Sequence, residues 1–157
     1  MNEYLVDFDG VILDSQDRFK SVMKDNNNLY DWMEYLTSIE WYSFLRECNE
    51  IDESLSVLQE LQRYKKLKAI LTAIHSFKEG QEKLIFLREK KIEVPIIYTL
   101  PNQRKSEVII PKPGLILVDD KISRVNEWIK DGGEALLFNP NLKTEEEGKI
   151  RTLKKLL

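Results

Sequence analysis

The stretch Tyr4-Leu5-Val6-Asp7-Phe8-Asp9-Gly10-Val11-Ile12-Leu13-Asp14-Ser15 places two carboxylates at the end of an apolar run. Tyr4 to Phe8 is short, β-branched and aromatic, the composition of a buried strand. Side chains alternate along a strand with period two, so Asp7 and Asp9 leave its end on the same side. Two like charges so close each resist ionising unless a cation lies between them. Gly10 lets the backbone turn sharply and approach a ligand. Alone, Asp-x-Asp-Gly is equally a common polar turn at a strand end. The downstream chain has to decide between the two.

Three more strand-like runs lead to polar groups: Thr72 after Lys68-Ala69-Ile70-Leu71, Lys105 after Pro95 to Leu100, and Asp119-Asp120 after Leu115-Ile116-Leu117-Val118. Between them the period changes to that of helices. Ile51 to Lys66 carries Leu55, Leu58 and Leu61 on one side, with Asp52 as its expected N-cap. Ser76-Phe77-Lys78-Glu79 is a capping-box pattern, and Phe77, Leu84, Leu87 and Ile92 predict the apolar side of the helix it opens. Val108-Ile109-Ile110 reads as an edge piece before the turn Pro111-Lys112-Pro113-Gly114. Ile122, Val125, Trp128 and Ile129 mark a helix stopped by Gly132-Gly133, Glu134 to Phe138 a strand, and Thr144 with Glu147 the capping box of a terminal helix. Strand and helix in alternation predict an α/β chain with a central parallel sheet of about five strands, the first in the middle. Ligands of such sheets collect at the carboxyl ends of the strands, where Asp7, Asp9, Thr72 and Asp119 all fall.

With 157 residues, 42% of them hydrophobic, residues 1–157 are expected to form a single domain with a substantial core. A net charge of −3 and a pI near 5.4 argue against extended nucleic-acid binding. The only cysteine, Cys48, has no partner for an internal disulfide, and with His75 as the only histidine a zinc cluster is excluded, so any metal must be held by oxygen. The first residues lack a basic region followed by an apolar core, and no run approaches the ~20 apolar residues of a membrane span. A soluble, cytoplasmic protein is the expectation.

In that order, the Asp7-x-Asp9 motif, Thr72, Lys105 and the Asp119-Asp120 pair resemble the haloacid dehalogenase superfamily of aspartyl-nucleophile phosphatases. The resemblance implies a three-layer Rossmann-like fold in which a small helical cap, about residues 16–50, is inserted after the first strand. Asp7 would be the nucleophile, since a carboxylate can take a phosphoryl group as an aspartyl-phosphate. Asp9 would give a proton to the leaving oxygen and later take one from water. The hydroxyl of Thr72 and the backbone from Ala73 and Gly10 would hold phosphoryl oxygens, and Lys105 would set a fixed positive charge against nucleophile and phosphoryl group. Asp119 and Asp120, with Asp7 and Asp9, form a hard oxygen site suited to Mg²⁺. Lys112 competes for the lysine role. It lies between two prolines only seven residues before Asp119, which favours Lys105.

The order also separates two families with related sites. A phosphoacceptor receiver domain has its acidic pair first and its acceptor aspartate mid-chain, the reverse of what stands here. Asp9 further favours phosphoryl chemistry, because dehalogenases keep no acid at that position. From Lys105 to about residue 139, Asp119-Asp120-Lys121, Asn126, Trp128, Gly132-Gly133, Ala135 and Phe138 look like the tail of the 5′(3′)-deoxyribonucleotidase group. The expected substrate is therefore a small phosphomonoester, foremost a nucleoside monophosphate, with Trp32, Tyr35, Trp41 and Tyr42 of the insert offering faces for a base. A non-catalytic domain that binds a phosphorylated ligand or partner, and a phosphatase for nucleic-acid 3′-phosphate ends, are the alternatives.

Overall fold

The computed structural model describes residues 1–25 and 29–157, with side chains outside 22–33. The polar run Asp25-Asn26-Asn27-Asn28, which its composition predicts to be a turn within the insert, falls at residues 26–28 outside the described residues, as do the side chains of Met23, Tyr30, Trp32 and Met33. Strand β1 (Glu3–Val6) pairs in parallel with β2 (Leu67–Ala73) on one side and β4 (Leu115–Asp119) on the other. With β3 (Ile96–Thr99), β5 (Glu134–Phe138) and the two-residue β6 (Lys149–Ile150), they form a six-stranded sheet in the order β3-β2-β1-β4-β5-β6. Every pairing in it is parallel.

A parallel sheet must be covered on both faces, and the strand parity shows how. Val6, Ile70 and Val118 face one core, which also holds Leu55, Leu58 and Leu61 of α4 (Ser54–Arg63), and Phe86 and Leu87 of α5 (Phe77–Glu89). Leu5, Ala69, Leu71 and Leu117 face a smaller core closed by Trp128 of α6 (Ile122–Lys130), with Val108 and Ile109 alongside. Gly133 is required here: a Cβ on it would lie 2.2 Å from the indole Nε1 of Trp128. The insert supplies α1 (Ser15–Asp25), α2 (Leu29–Ser38) and α3 (Trp41–Glu47). Phe19, Leu36, Trp41, Phe44 and Leu45 from these helices join the larger core, where Phe19 stacks on Phe44 and meets Trp41 edge-on. Among the described residues no helix is long and apolar enough to cross a membrane.

The structure corrects four expectations. Helix α4 starts at Ser54, not at a capping Asp52. Asp52 and Glu53 are both left-handed, and the carboxylate of Glu50 accepts from the Leu55 N–H instead. Helix α5 is capped by Ser76 as its sequence predicts, but Phe77 is 95% exposed while Glu79, Glu82 and Lys83 are buried. Val108-Ile109-Ile110 follows a 3-10 turn at Lys105–Glu107 and is no strand. Thr144 opens no helix. Its segment has no apolar stripe to bury, and Gly148 turns through a positive φ so that β6 can join β5 and bring Ile150, Leu153 and Leu156 to the core.

Candidate active site

The β1–β4 register decides the centre of the site. Val6 pairs with Val118, so the next residues, Asp7 and Asp119, leave adjacent strands side by side, and the Asp7 N–H donates to the Val118 carbonyl at 2.9 Å. Lys105, buried at the start of its 3-10 turn, donates from Nζ to Asp7 Oδ1 at 2.9 Å and to Asp119 Oδ2 at 2.6 Å. Lys112 is exposed in the loop that leads into the opposite, amino end of β4. Of the two lysines, it is Lys105 that stands beside Asp7 and Asp119. Asp120 brings a third carboxylate, and one oxygen each from Asp7, Asp119 and Asp120 lie within 4.8 Å of one another. Gly10 is part of the same packing. Its φ is +80°, and a Cβ there would sit 2.1 Å from Asp120 Oδ2.

This cluster carries more negative charge than Lys105 can match. Burial, with Asp119 opposite, pushes the Asp7 carboxyl up to about 7. Burial, with Asp7 and Asp119 nearby, raises Asp120 to about 8. Asp120 Oδ1 is buried with no hydrogen-bond partner among the described residues. Converging carboxylates, an orphaned oxygen and no sulfur or imidazole donor fit a hard divalent cation of the Mg²⁺ type.

Asp9 goes elsewhere. Its Oδ1 accepts from Ser15 Oγ at 2.6 Å and its Oδ2 from Lys83 Nζ at 2.7 Å, so among the described residues the carboxylates that converge on a common point are three, without Asp9. Thr72 is placed differently from its expected role as well. Strand β2 runs one residue past it, to Ala73, and strand parity points Thr72 to the α5 side with Ile70. There it is fully buried and accepts from Lys83 Nζ at 3.0 Å. Ala73, not Thr72, lines the cleft.

Lys83 was missed by sequence reasoning. Its side chain is 0% exposed and forms a second ion pair, at 2.7 Å, with the equally buried Glu79. Burial opposes its charge, yet Asp9 and Glu79 together hold it above the usual lysine range. Glu79 is also buried, but Lys83 and His75 bring it down to about 2. The available signal was a Glu and a Lys four apart, a spacing that puts both on one helix face.

The cleft itself is small, about 70 Å³, lined by Asp7, Asp9, Gln16, Ala73, Lys105 and Asp119, with His75, Lys121 and Arg124 at its margin. A second, polar hollow of about 230 Å³ lies beyond Gly10 and Asp120, bounded by Gln16, Lys20, Asn139 and Asn141. Trp41 is core, Tyr35 packs against the core, and Tyr42 is on the surface under Arg46, so none of these three presents a face to the cleft. Trp32 lies outside the described side chains.

No protein-family model and no curated protein matches the chain. Its backbone is similar to the crystal structure of a HAD hydrolase, family IA, variant 3, from Entamoeba histolytica HM-1:IMSS, with TM-score 0.62 and 14% identity over 99% of this chain and 95% of that one. It is similarly close to a Had-superfamily hydrolase from Ehrlichia chaffeensis, with TM-score 0.60 and 12% identity over the same shares. The likeness establishes a shared fold, the three-layer α/β fold that the order of the motifs implied.

Proposed function

We propose that the chain is a divalent-cation-dependent phosphomonoester hydrolase that works through an aspartyl-phosphate on Asp7. One observation carries this reading: three carboxylates converge within 4.8 Å at the carboxyl ends of two adjacent central strands, with Lys105 bridging two of them. In the first step a carboxylate oxygen of Asp7 bonds to phosphorus, the ester P–O bond breaks, and Asp9, which must enter this step as the carboxylic acid, delivers its proton to the leaving oxygen. In the second, Asp9 takes a proton from water, whose oxygen bonds to phosphorus and releases Asp7 and inorganic phosphate. Lys105 keeps a positive charge beside Asp7 and the phosphoryl oxygens throughout. Asp7, Asp119 and Asp120 would hold the cation, Mg²⁺, which when bound neutralises charge on the phosphoryl oxygens.

The cleft has room for a phosphoryl group and little else, which leaves the neighbouring polar hollow for the rest of a small substrate. A nucleoside monophosphate is the first class proposed, on the strength of the Lys105–Phe138 resemblance. No aromatic face from Tyr35, Trp41 or Tyr42 supports base stacking, so recognition would rest on polar contacts from Gln16, Asn139 and Asn141. Lys121 and Arg124 on the margin favour a nucleic-acid 3′-phosphate end as the second reading. Turnover of para-nitrophenyl phosphate with Mg²⁺, abolished by chelation, is the expected result. Absence of turnover with any divalent cation, despite tight binding of a phosphorylated ligand, would make this a binding domain. A panel of nucleoside monophosphates, sugar phosphates and a 3′-phosphorylated oligonucleotide then ranks the substrates by kcat/KM.

A further inference from the structure

Lys83 projects from α5 into a fully enclosed position beneath the cleft, and its ammonium meets four oxygens, three through hydrogen bonds and that of Glu79 through an ion pair. These are Asp9 Oδ2 at 2.7 Å, Glu79 Oε2 at 2.7 Å, Thr72 Oγ1 at 3.0 Å and the Ala73 carbonyl at 3.2 Å. Three of the four belong to the two strand ends that border the site. The fourth, Glu79, is held from behind, accepting from the His75 N–H and contacting His75 Nδ1, both at 2.9 Å. His75 and Asp9 both reach the cleft, so the chain His75–Glu79–Lys83–Asp9 begins and ends there.

Stability alone does not account for such a cluster. Replacing a buried ion pair by well-packed apolar residues is often neutral or stabilising, and the rings of Phe8 and Phe86 stand close by in the same core, Lys83 Nζ being 4.9 Å from the Phe8 centroid. Apolar residues at both 79 and 83 would suit that setting. The lysine instead ties the carboxylate after β1 to the hydroxyl and carbonyl at the end of β2.

We infer that Lys83, backed by Glu79, is a positioning residue for the reaction, fixing the Asp9 carboxylate and the Thr72–Ala73 strand end relative to Asp7. The inference rests on the phosphatase reading and deepens it: Lys83 touches no reacting atom and acts through Asp9. Without it Asp9 keeps only Ser15 as an anchor and loses its aim at the leaving oxygen, while the attack by Asp7 is spared.

The test compares an ester with a good leaving group, para-nitrophenyl phosphate, with an alkyl phosphate whose leaving oxygen needs a proton. Lys83→Met alone leaves Glu79 and Asp9 without their counter-charge, so the double variant K83M/E79Q, which also removes the Glu79 charge, is made beside it. Thermal unfolding confirms that each variant is folded. The expected loss in kcat for K83M/E79Q is about thirtyfold or more on the alkyl ester and under about threefold on para-nitrophenyl phosphate, with little change in KM. Lys83→Arg restores part of it. In an Asp9→Asn background the same pair of substitutions adds less than about twofold, because both act on one step. Equal losses on the two esters, a gain on the alkyl ester, or full additivity with Asp9→Asn overturns the inference. A wild-type enzyme that turns over no ester overturns the phosphatase reading itself, a different result from an active wild type with an indifferent Lys83.

Discussion

Among the described residues two lysines are buried, Lys105 lining the cleft and Lys83 beneath it, and their charges are met in opposite ways. Lys105 stands between Asp7 and Asp119 with Asp120 alongside, three carboxylates against one ammonium, in a cluster that opens to the cleft and leaves an oxygen of Asp120 without a hydrogen-bond partner among the described residues. Lys83 is surrounded on all sides, its acceptors drawn from β2, α5 and the segment after β1. The open cluster has unmet charge, which is what a reacting centre with an added cation requires. The closed one sets two carboxylates against one ammonium, each in direct contact with it, which suits holding parts in place.

The widest separation should come from Asp7→Asn. The amide keeps the shape but is no nucleophile, so turnover should fall by more than about a thousandfold, or over ~4 kcal/mol in barrier, with the unfolding transition intact. Residual turnover within tenfold of wild type would remove Asp7 from that role. Next come the lysines themselves. Removing one partner of a buried ion pair costs roughly 3–5 kcal/mol, so Lys105→Met and Lys83→Met should both destabilise. Millimolar Mg²⁺ should recover much of the loss in Lys105→Met, because a cation can stand in for the ammonium among open carboxylates, and none of it in Lys83→Met. Equal recovery in thermal melts would erase the distinction.

A smaller effect concerns pH. Asp7 and Asp120 have carboxyls raised to about 7 and about 8 in the folded chain, so the metal-free fold holds their protons more tightly than the unfolded chain does. Their contribution is fully present below the unfolded values near 4 and is lost as pH rises through about 7 to 8. Metal-free protein should therefore melt lower at pH 8.5 than at pH 6, by roughly a few degrees, and Mg²⁺ should reverse the trend. The smallest expected effect is that of Phe77→Ser. This side chain is almost wholly exposed, so its loss should change stability by less than about 0.5 kcal/mol.

The open cluster was legible in the sequence and the closed one was not, for physical reasons. Asp7, Lys105 and Asp119 follow apolar runs in a fixed order, and a parallel sheet brings the ends of such runs together whatever the helices do. Thr72 shows the limit of that logic. A strand longer by a single residue keeps it inside the sheet, and parity then aims it at α5 instead of the cleft. For α5 the apolar positions Phe77, Leu84, Leu87 and Ile92 suggested a face, of which Leu87 and, just past the helix end, Ile92 are buried while Phe77 and Leu84 are exposed, and the helix turns Glu79 and Lys83 inward because they satisfy each other and Asp9. Hydrophobic periodicity has no way to mark a polar pair whose partner lies more than seventy residues earlier. The C-terminal segment failed for a related reason: local capping signals at Thr144 lose to the backbone hydrogen bonds that β5 offers to β6.

The two clusters also differ in when they can exist. Asp9, Thr72, Ala73 and Glu79 all precede Lys83 along the chain, so the closed cluster can assemble once β1, β2 and α5 have met. The open one needs Asp7 to wait for Lys105 and Asp119, 98 and then 14 positions apart in their contacts. A chain made from its N-terminus would therefore lock Asp9 in place before Lys105 and Asp119 have been synthesised. Pulse-labelled hydrogen exchange during refolding should find the Thr72 amide protected ahead of that of Asp119. The open cluster would then form only when β4 arrives, beside a half-molecule that already holds Asp9 in position.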